Sequence, residues 1–268
     1  MKIVVLDGYT ENPGDLSWSA LEQLGELVVY DRTSYEESDL VAERIGDADV
    51  AILNKTPISK ATMDQCPNLK LIAVLATGYN VVDLEAARER GIVVTNIPAY
   101  STHAVAQHVF ALLLELTNHV GLHSESVKAG NWAKAPDFCY WEKPMMELEG
   151  KTFGIVGYGR IGQAAARLAL AFRMEVLVSS SHTIEAAPGL RGAGLEEVLS
   201  RADVLSLHCP LTEERRGFLN RERLAAMKRG VLIINTARGP LIDGPALYEA
   251  LCSGQVGGAA LDVLCEEP

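Results

Sequence analysis

The sequence predicts an α/β protein built from two doubly wound parallel sheets. Short β-branched runs alternate with helical stretches over the first hundred residues, and a second such series begins after Gly150. Each run is apolar through consecutive positions, as strands covered on both faces are. At ~150 residues per domain, a length of 268 residues suits about two domains. The break is expected after residue 98, giving one domain over 1–98 and another over 99–268.

The first series places strands at 3–6, 27–30, 50–53, 71–75 and 92–96. Helical stretches lie between them, among them 18–24 and 83–90, the latter closed by Gly91. Repeated strand–helix–strand units imply right-handed crossovers. The stretch 103–117, HAVAQHVFALLLELT, has apolar side chains on nearly every face, which predicts a helix buried between domains or between subunits. Residues 119–149 show no clean period yet carry Trp132, Pro136, Phe138, Tyr140, Trp141 and Pro144. That pattern suits an arm, a lid or a docking segment, or aromatics packed on their own domain. The second series places strands at 153–156, 175–178, 204–208, 231–235 and 259–263.

Charge narrows the partners. Lys plus Arg number 24 against 35 Asp plus Glu, a net charge of −11. Such a surface repels phosphate backbones and anionic lipid, so neither nucleic acid nor membrane is an expected partner. No apolar run approaches the ~20 residues of a spanning helix. The first strand meets Asp7 too early for a signal peptide. Five cysteines without a C-x-x-C pair suit a reducing compartment, and a cytoplasmic location is expected. The six histidines show no zinc spacing, so no metal site is expected. No G-x-S-x-G or P-loop lysine motif appears, which leaves serine hydrolase and nucleoside triphosphatase chemistry unsupported.

The motif with chemistry in it is Gly157-Tyr158-Gly159-Arg160-Ile161-Gly162, between a strand and an Ala-rich helical run over 163–172. In a Rossmann-like unit the first glycine makes the tight turn, the second lets backbone approach a pyrophosphate, and the third lets helix and strand pack closely. The helix N-terminus then faces the anion with unpaired N–H groups. An acid should end the next strand to hold the adenosine ribose. Ser179-Ser180-Ser181-His182 stands there instead, and no Arg or Lys follows before Arg191. NAD is the expected cofactor, with NADP left open.

Two later strands end in Leu207-His208-Cys209-Pro210 and Asn235-Thr236-Ala237-Arg238-Gly239. Ligands of open parallel sheets lie beyond the carboxyl ends of the strands, so Cys209, Thr236, Ala237 and Arg238 should converge on the nucleotide crevice. A guanidinium there can hold a carboxylate through two parallel hydrogen bonds. The competing role for Arg238 is a surface ion pair with Asp243. Cys209 is expected to pack against the nucleotide and not to act as a nucleophile.

Taken together, these motifs resemble the D-isomer-specific 2-hydroxyacid dehydrogenase family, close to its glycerate dehydrogenase (hydroxypyruvate reductase) branch. The resemblance spans essentially the whole chain and rests on LATGYNVVD over 75–83, on 96–107, on GYGRIG, on NTARGPLID and on ALDVLCEEP. It implies a substrate domain and a nucleotide domain with a cleft between them. It implies that backbone around Thr77 and Gly78 holds the substrate carboxylate and that Thr102 sits near the nicotinamide. Arg160 and Ile161 would cover the pyrophosphate and Ser180 the ribose, while Cys209, Thr236, Ala237 and Asp262 would meet the rest of the cofactor. Arg238 would orient the substrate, and Glu267 would orient the catalytic histidine.

That histidine is the departure. The resemblance places it roughly twenty residues beyond the glutamate, past Pro268, and neither His103 nor His208 lies at the matching motif. The chain is therefore expected to be a fragment or a shortened product. The last strand of the nucleotide sheet and the segment returning to the substrate domain would be missing with it. The expected activity is reduction of a small 2-oxo acid, such as hydroxypyruvate or glyoxylate, to the D-2-hydroxy acid. Without the histidine, general-acid help worth ~10²–10⁴-fold would be lost, so this chain should bind dinucleotide and turn over poorly. A dinucleotide-regulated protein-binding module of the co-repressor kind is the alternative. The apolar helix and the aromatic segment after it predict a homodimer.

Overall fold

The N-terminal strands are β1 (Lys2–Val5), β2 (Glu26–Val29), β3 (Val50–Leu53), β4 (Leu71–Val74) and β5 (Val93–Thr95). All pair in parallel, in the order β2-β1-β3-β4-β5. Between them run α1 (Ser19–Glu22), α2 (Asp39–Ile45), α3 (Lys60–Gln65) and α4 (Leu84–Glu89). The last three start where a side-chain oxygen takes a free N–H group: Ser38 from Leu40, Ser59 from Thr62 and Asp83 from Ala86. The core on one face of this sheet holds Leu6, Val41, Ile45, Leu53, Ile58 and Ile72, all buried. The computed structural model describes residues 1–266 of the chain.

The second unit opens with α5 (Thr102–Asn118), α6 (Val120–Lys128) and α7 (Asn131–Lys134). Its sheet contains β6 (Thr152–Val156), β7 (Glu175–Ser179), β8 (Leu190–Gly192), β9 (Val204–Leu207), β10 (Val231–Asn235) and β11 (Val256–Leu261). Helices α8 (Arg160–Ala171), α9 (Leu195–Arg201), α10 (Arg221–Ala225) and α11 (Gly244–Cys252) connect them. The strand order is β11-β10-β9-β6-β7-β8, all parallel. Order reverses between β6 and β9, and a crevice for ligand opens at the carboxyl edge of such a switch point. The chain divides into two compact units, Met1–Tyr100 and Ser101–Pro268.

Several expectations need correction. Within one chain, helix α5 turns Ala106, Val109, Phe110, Leu113 and Thr117 inward and leaves His103, Gln107 and His108 exposed. Its buried stripe packs within its own unit, with Phe110 stacked on Phe153 and Phe172. The segment over 119–149, read as patternless, contains α6 and α7. The strand expected at 259–263 begins earlier, at Val256, because Gly257 and Gly258 pair with no side chain to mark them. Strand β8, three residues long at the sheet edge, is too short to show a period in the sequence. No helix among the described residues is long and apolar enough to cross a membrane.

Candidate active site

The glycine turn is shaped by close approach. At Gly157 φ is +95°, and a Cβ there would sit 2.6 Å from the Cys209 nitrogen. Its N–H donates to the Ser179 carbonyl at 2.9 Å, fixing the turn to the end of β7. A Cβ at Gly162 would sit 2.4 Å from the Gly157 carbonyl oxygen, so the first turn of α8 lies against the turn that feeds it. Gly159 has open space around its missing Cβ and caps α8 with no side chain. As the first residues of α8, Arg160, Ile161 and Gly162 carry N–H groups with no acceptor within the helix, and the helix dipole there favours an anion.

Beneath this turn, β9 delivers His208 and Cys209. The Ser206 hydroxyl and His208 Nε2 lie 2.9 Å apart, and burial pushes the imidazole down to about 4, leaving it neutral at pH 7. Burial raises the Cys209 thiol, so no thiolate nucleophile forms there.

At the end of β10 the fully buried Asn235 folds the chain back on itself. Its amide donates to the Arg238 carbonyl at 2.9 Å, and its Oδ1 accepts the Ala237 N–H at 3.0 Å. The turn presents Arg238 to solvent, with Nη1 donating to the Ala237 carbonyl at 2.7 Å. Asp243 is not its ion-pair partner among the described residues, since that carboxylate caps α11 through the Ala246 N–H at 3.0 Å. Thr236 Oγ1 is buried and has no hydrogen-bond partner among the described residues. A buried hydroxyl without a partner at the carboxyl edge of a sheet calls for an explanation, and completion by a ligand or a water there supplies one.

Asp262 continues from β11, its N–H on the Asn235 carbonyl at 3.0 Å and its carboxylate 3.3 Å from His108 Nε2. The next residues run tightly against the arginine turn. A Cβ at Gly239 would fall 1.7 Å from the Leu264 carbonyl oxygen, and Cys265 Sγ contacts the Gly239 and Ile242 carbonyls. Glu267 lies outside the described residues. Ser180 follows β7 and accepts the His182 N–H at 3.1 Å, while Arg191 is held by Glu197. Thr102 is the first residue of α5.

In the N-terminal unit, Thr77 and Gly78 follow β4. The Thr77 hydroxyl donates to the Ile97 carbonyl at 3.0 Å, and Asn96 Nδ2 donates to the Thr77 carbonyl at 2.9 Å. Those two bonds hold the loop while the Thr77 and Gly78 N–H groups meet no acceptor among the described residues. Asn235, Asn96 and His108 had no assigned role in the sequence; Asn235 and Asn96 lie inside the quoted motifs, but their work is to brace neighbouring backbone.

A profile of the D-isomer specific 2-hydroxyacid dehydrogenase NAD binding domain matches residues 110–268. The chain belongs to the D-isomer specific 2-hydroxyacid dehydrogenases. Among its relatives in this family, it is 52% identical over 270 residues to a hydroxypyruvate reductase of Blautia hydrogenotrophica, covering 100% of this chain and 84% of that protein. The solved TT0316 protein of Thermus thermophilus superposes with a TM-score of 0.86 at 40% identity, over 100% of this chain and 83% of that one. A D-lactate dehydrogenase of Aquifex aeolicus, solved with NAD and lactic acid, superposes with a TM-score of 0.83 at 31% identity, over 99% and 78%. In this 2-hydroxyacid dehydrogenase the sheet order, the glycine turn and the unsatisfied Thr236 hydroxyl all fit a nicotinamide dinucleotide.

Proposed function

We propose that this protein is a reductase of small 2-oxo acids of the hydroxypyruvate or glyoxylate type, giving the D-2-hydroxy acid. The observation that carries the reading is the Asn235-braced turn, which sets Arg238 beside an unsatisfied Thr236 hydroxyl at the carboxyl edge of the second sheet. That unit, ending the α5-to-β11 series, is read as the dinucleotide domain, and residues 1–98 as the substrate domain.

When bound, the nicotinamide supplies a hydride. The N–H groups at the start of α8, with Arg160 and Ile161, hold the pyrophosphate, Gly157, Gly159 and Gly162 admit it, and Ser180 takes the ribose. Thr102, Cys209, Thr236, Ala237 and Asp262 shape the remaining surface. The free N–H groups of Thr77 and Gly78 hold the substrate carboxylate. Arg238 orients the substrate and stabilises charge gathering on its C2 oxygen, the kind of preorganised electrostatic help that dominates such steps. Glu267 keeps the role of raising the pKa of the proton-donating histidine. The five free thiols support a cytoplasmic location, and the exposed aromatics after α7 support a homodimer.

The test uses the complete gene product. Reduced nicotinamide should be consumed with hydroxypyruvate or glyoxylate, and R238Q should lower kcat/KM by about 10²-fold or more while leaving NADH binding within a few-fold. Turnover unaffected by R238Q, or a protein that binds no dinucleotide, overturns the reading.

A further inference from the structure

The carboxyl edge of the first sheet carries a device that the catalytic reading does not use. Asp7, which follows β1, is 2% exposed, and its carboxylate accepts three consecutive backbone N–H groups from the loop after β3. The donors are Asn54 at 2.8 Å, Lys55 at 2.6 Å and Thr56 at 2.9 Å. A second tie runs through Thr10, whose hydroxyl donates to the Asp7 carbonyl at 2.8 Å and accepts from Asn54 Nδ2 at 3.1 Å. Two chain segments almost fifty residues apart in sequence are locked together, and the residue held outward between them is Lys55.

The Lys55 ammonium makes no hydrogen bond or ion pair among the described residues. Its charge reaches Glu11, whose carboxyl is pushed up by burial and then by Asp7, but the two do not come within ion-pair distance. Two further cations at this edge are engaged: Arg32 lies over the Tyr9 ring at 4.0 Å and Arg44 over the Tyr30 ring at 4.3 Å. Strand β4 lies beside β3, and Leu75 N–H still donates to the Leu53 carbonyl at 2.7 Å just before the chains diverge. The Lys55 loop and the free Thr77 and Gly78 N–H groups therefore leave adjacent strands at one edge. Neighbouring strands are about 4.8 Å apart, so the two loops start as neighbours at that edge.

We propose that Lys55 is a specificity-determining residue that binds an oxygen substituent on C3 of the substrate, with Asp7 as its positioning residue. This rests on the reading of Thr77 and Gly78 as the carboxylate holders. The preferred substrate class is then 3-oxygenated 2-oxo acids over glyoxylate, which has no C3.

The experiment compares kcat/KM for hydroxypyruvate and glyoxylate in the complete gene product. K55M removes an exposed charge and leaves the fold alone. It should lower kcat/KM for hydroxypyruvate about tenfold, chiefly through KM, and change glyoxylate by less than about two-fold, because one charge-assisted hydrogen bond is worth that much. K55R, which keeps the charge, should retain most of the preference. D7N, confirmed folded by its melting curve, should move the ratio in the same direction as K55M. Equal losses on both substrates, or an unchanged ratio, overturn the proposal. A wild-type protein inactive on both would instead overturn the reductase reading, so the two failures are distinguishable.

Discussion

His208 shows how one residue couples the cradle to stability. Burial holds its imidazole at about 4, against an ordinary value near 6.5, so the folded state favours the neutral ring. Above about pH 6.5 neither state is protonated there. As pH falls from there towards 4, the unfolded chain takes up a proton that the folded chain refuses, and stability drops. Below about 4 both states carry the proton and the loss levels off. At about pH 5 the cost is about 2 kcal/mol. H208Q keeps a polar group for Ser206 without a titrating ring. Denaturant melts of H208Q should show an acid-side loss between pH 7 and about 5 that is smaller by that amount. An acid limb identical to the wild type would mean that other groups carry it. The same argument removes His208 as a general acid, since a ring held neutral has no imidazolium proton to give at pH 7.

Among the elements, β6, its turn and α8 were legible in the sequence because the chemistry there admits only glycine. No other residue fits 2.6 Å from the Cys209 nitrogen at Gly157 or 2.4 Å from the Gly157 oxygen at Gly162. We expect G162A to weaken NADH binding at least about tenfold in a fluorescence titration, because a buried Cβ without room typically costs about 1–3 kcal/mol. Binding within two-fold of wild type would show that the turn yields without loss. Strand β10 was legible because its residues are apolar at consecutive positions, as a strand covered on both faces requires. What escaped notice was carried by long-range pairing. The Asp7 clamp joins residues 47 to 49 positions apart, and no local pattern announces it. His108 reads as a stray histidine on an apolar helix until β11 brings Asp262 within 3.3 Å. Helices α6 and α7 lacked a clean period because their aromatic and polar residues do not build one buried stripe. Only Ser126 is buried in α6, and no residue is buried in α7.

The whole molecule poses a question of association. After α7 the second unit leaves Phe138 90% exposed and Trp141 70% exposed, and beside α5 and α8 it has an apolar groove of about 510 Å³ lined by Ala106, Phe110, Leu114, Ala164 and Leu168. Apolar surface of that kind suits a protein interface, and we propose a homodimer that buries it. In a two-fold dimer each residue is buried twice, once per protomer. Burying a large aromatic side chain contributes about 1.5–3 kcal/mol, so two such residues in two copies outweigh a modest repulsion. Each chain carries −11, so repulsion between protomers acts against association, and salt screens it over about 8 Å at physiological strength. Sedimentation should therefore give a mass twice the 28.9 kDa of one chain. F138S/W141S should raise the dimer Kd by at least about 10²-fold, and added salt should strengthen association in both proteins. A wild-type mass of one protomer would reject the dimer, whereas a dimer untouched by F138S/W141S would place its interface away from the aromatic segment.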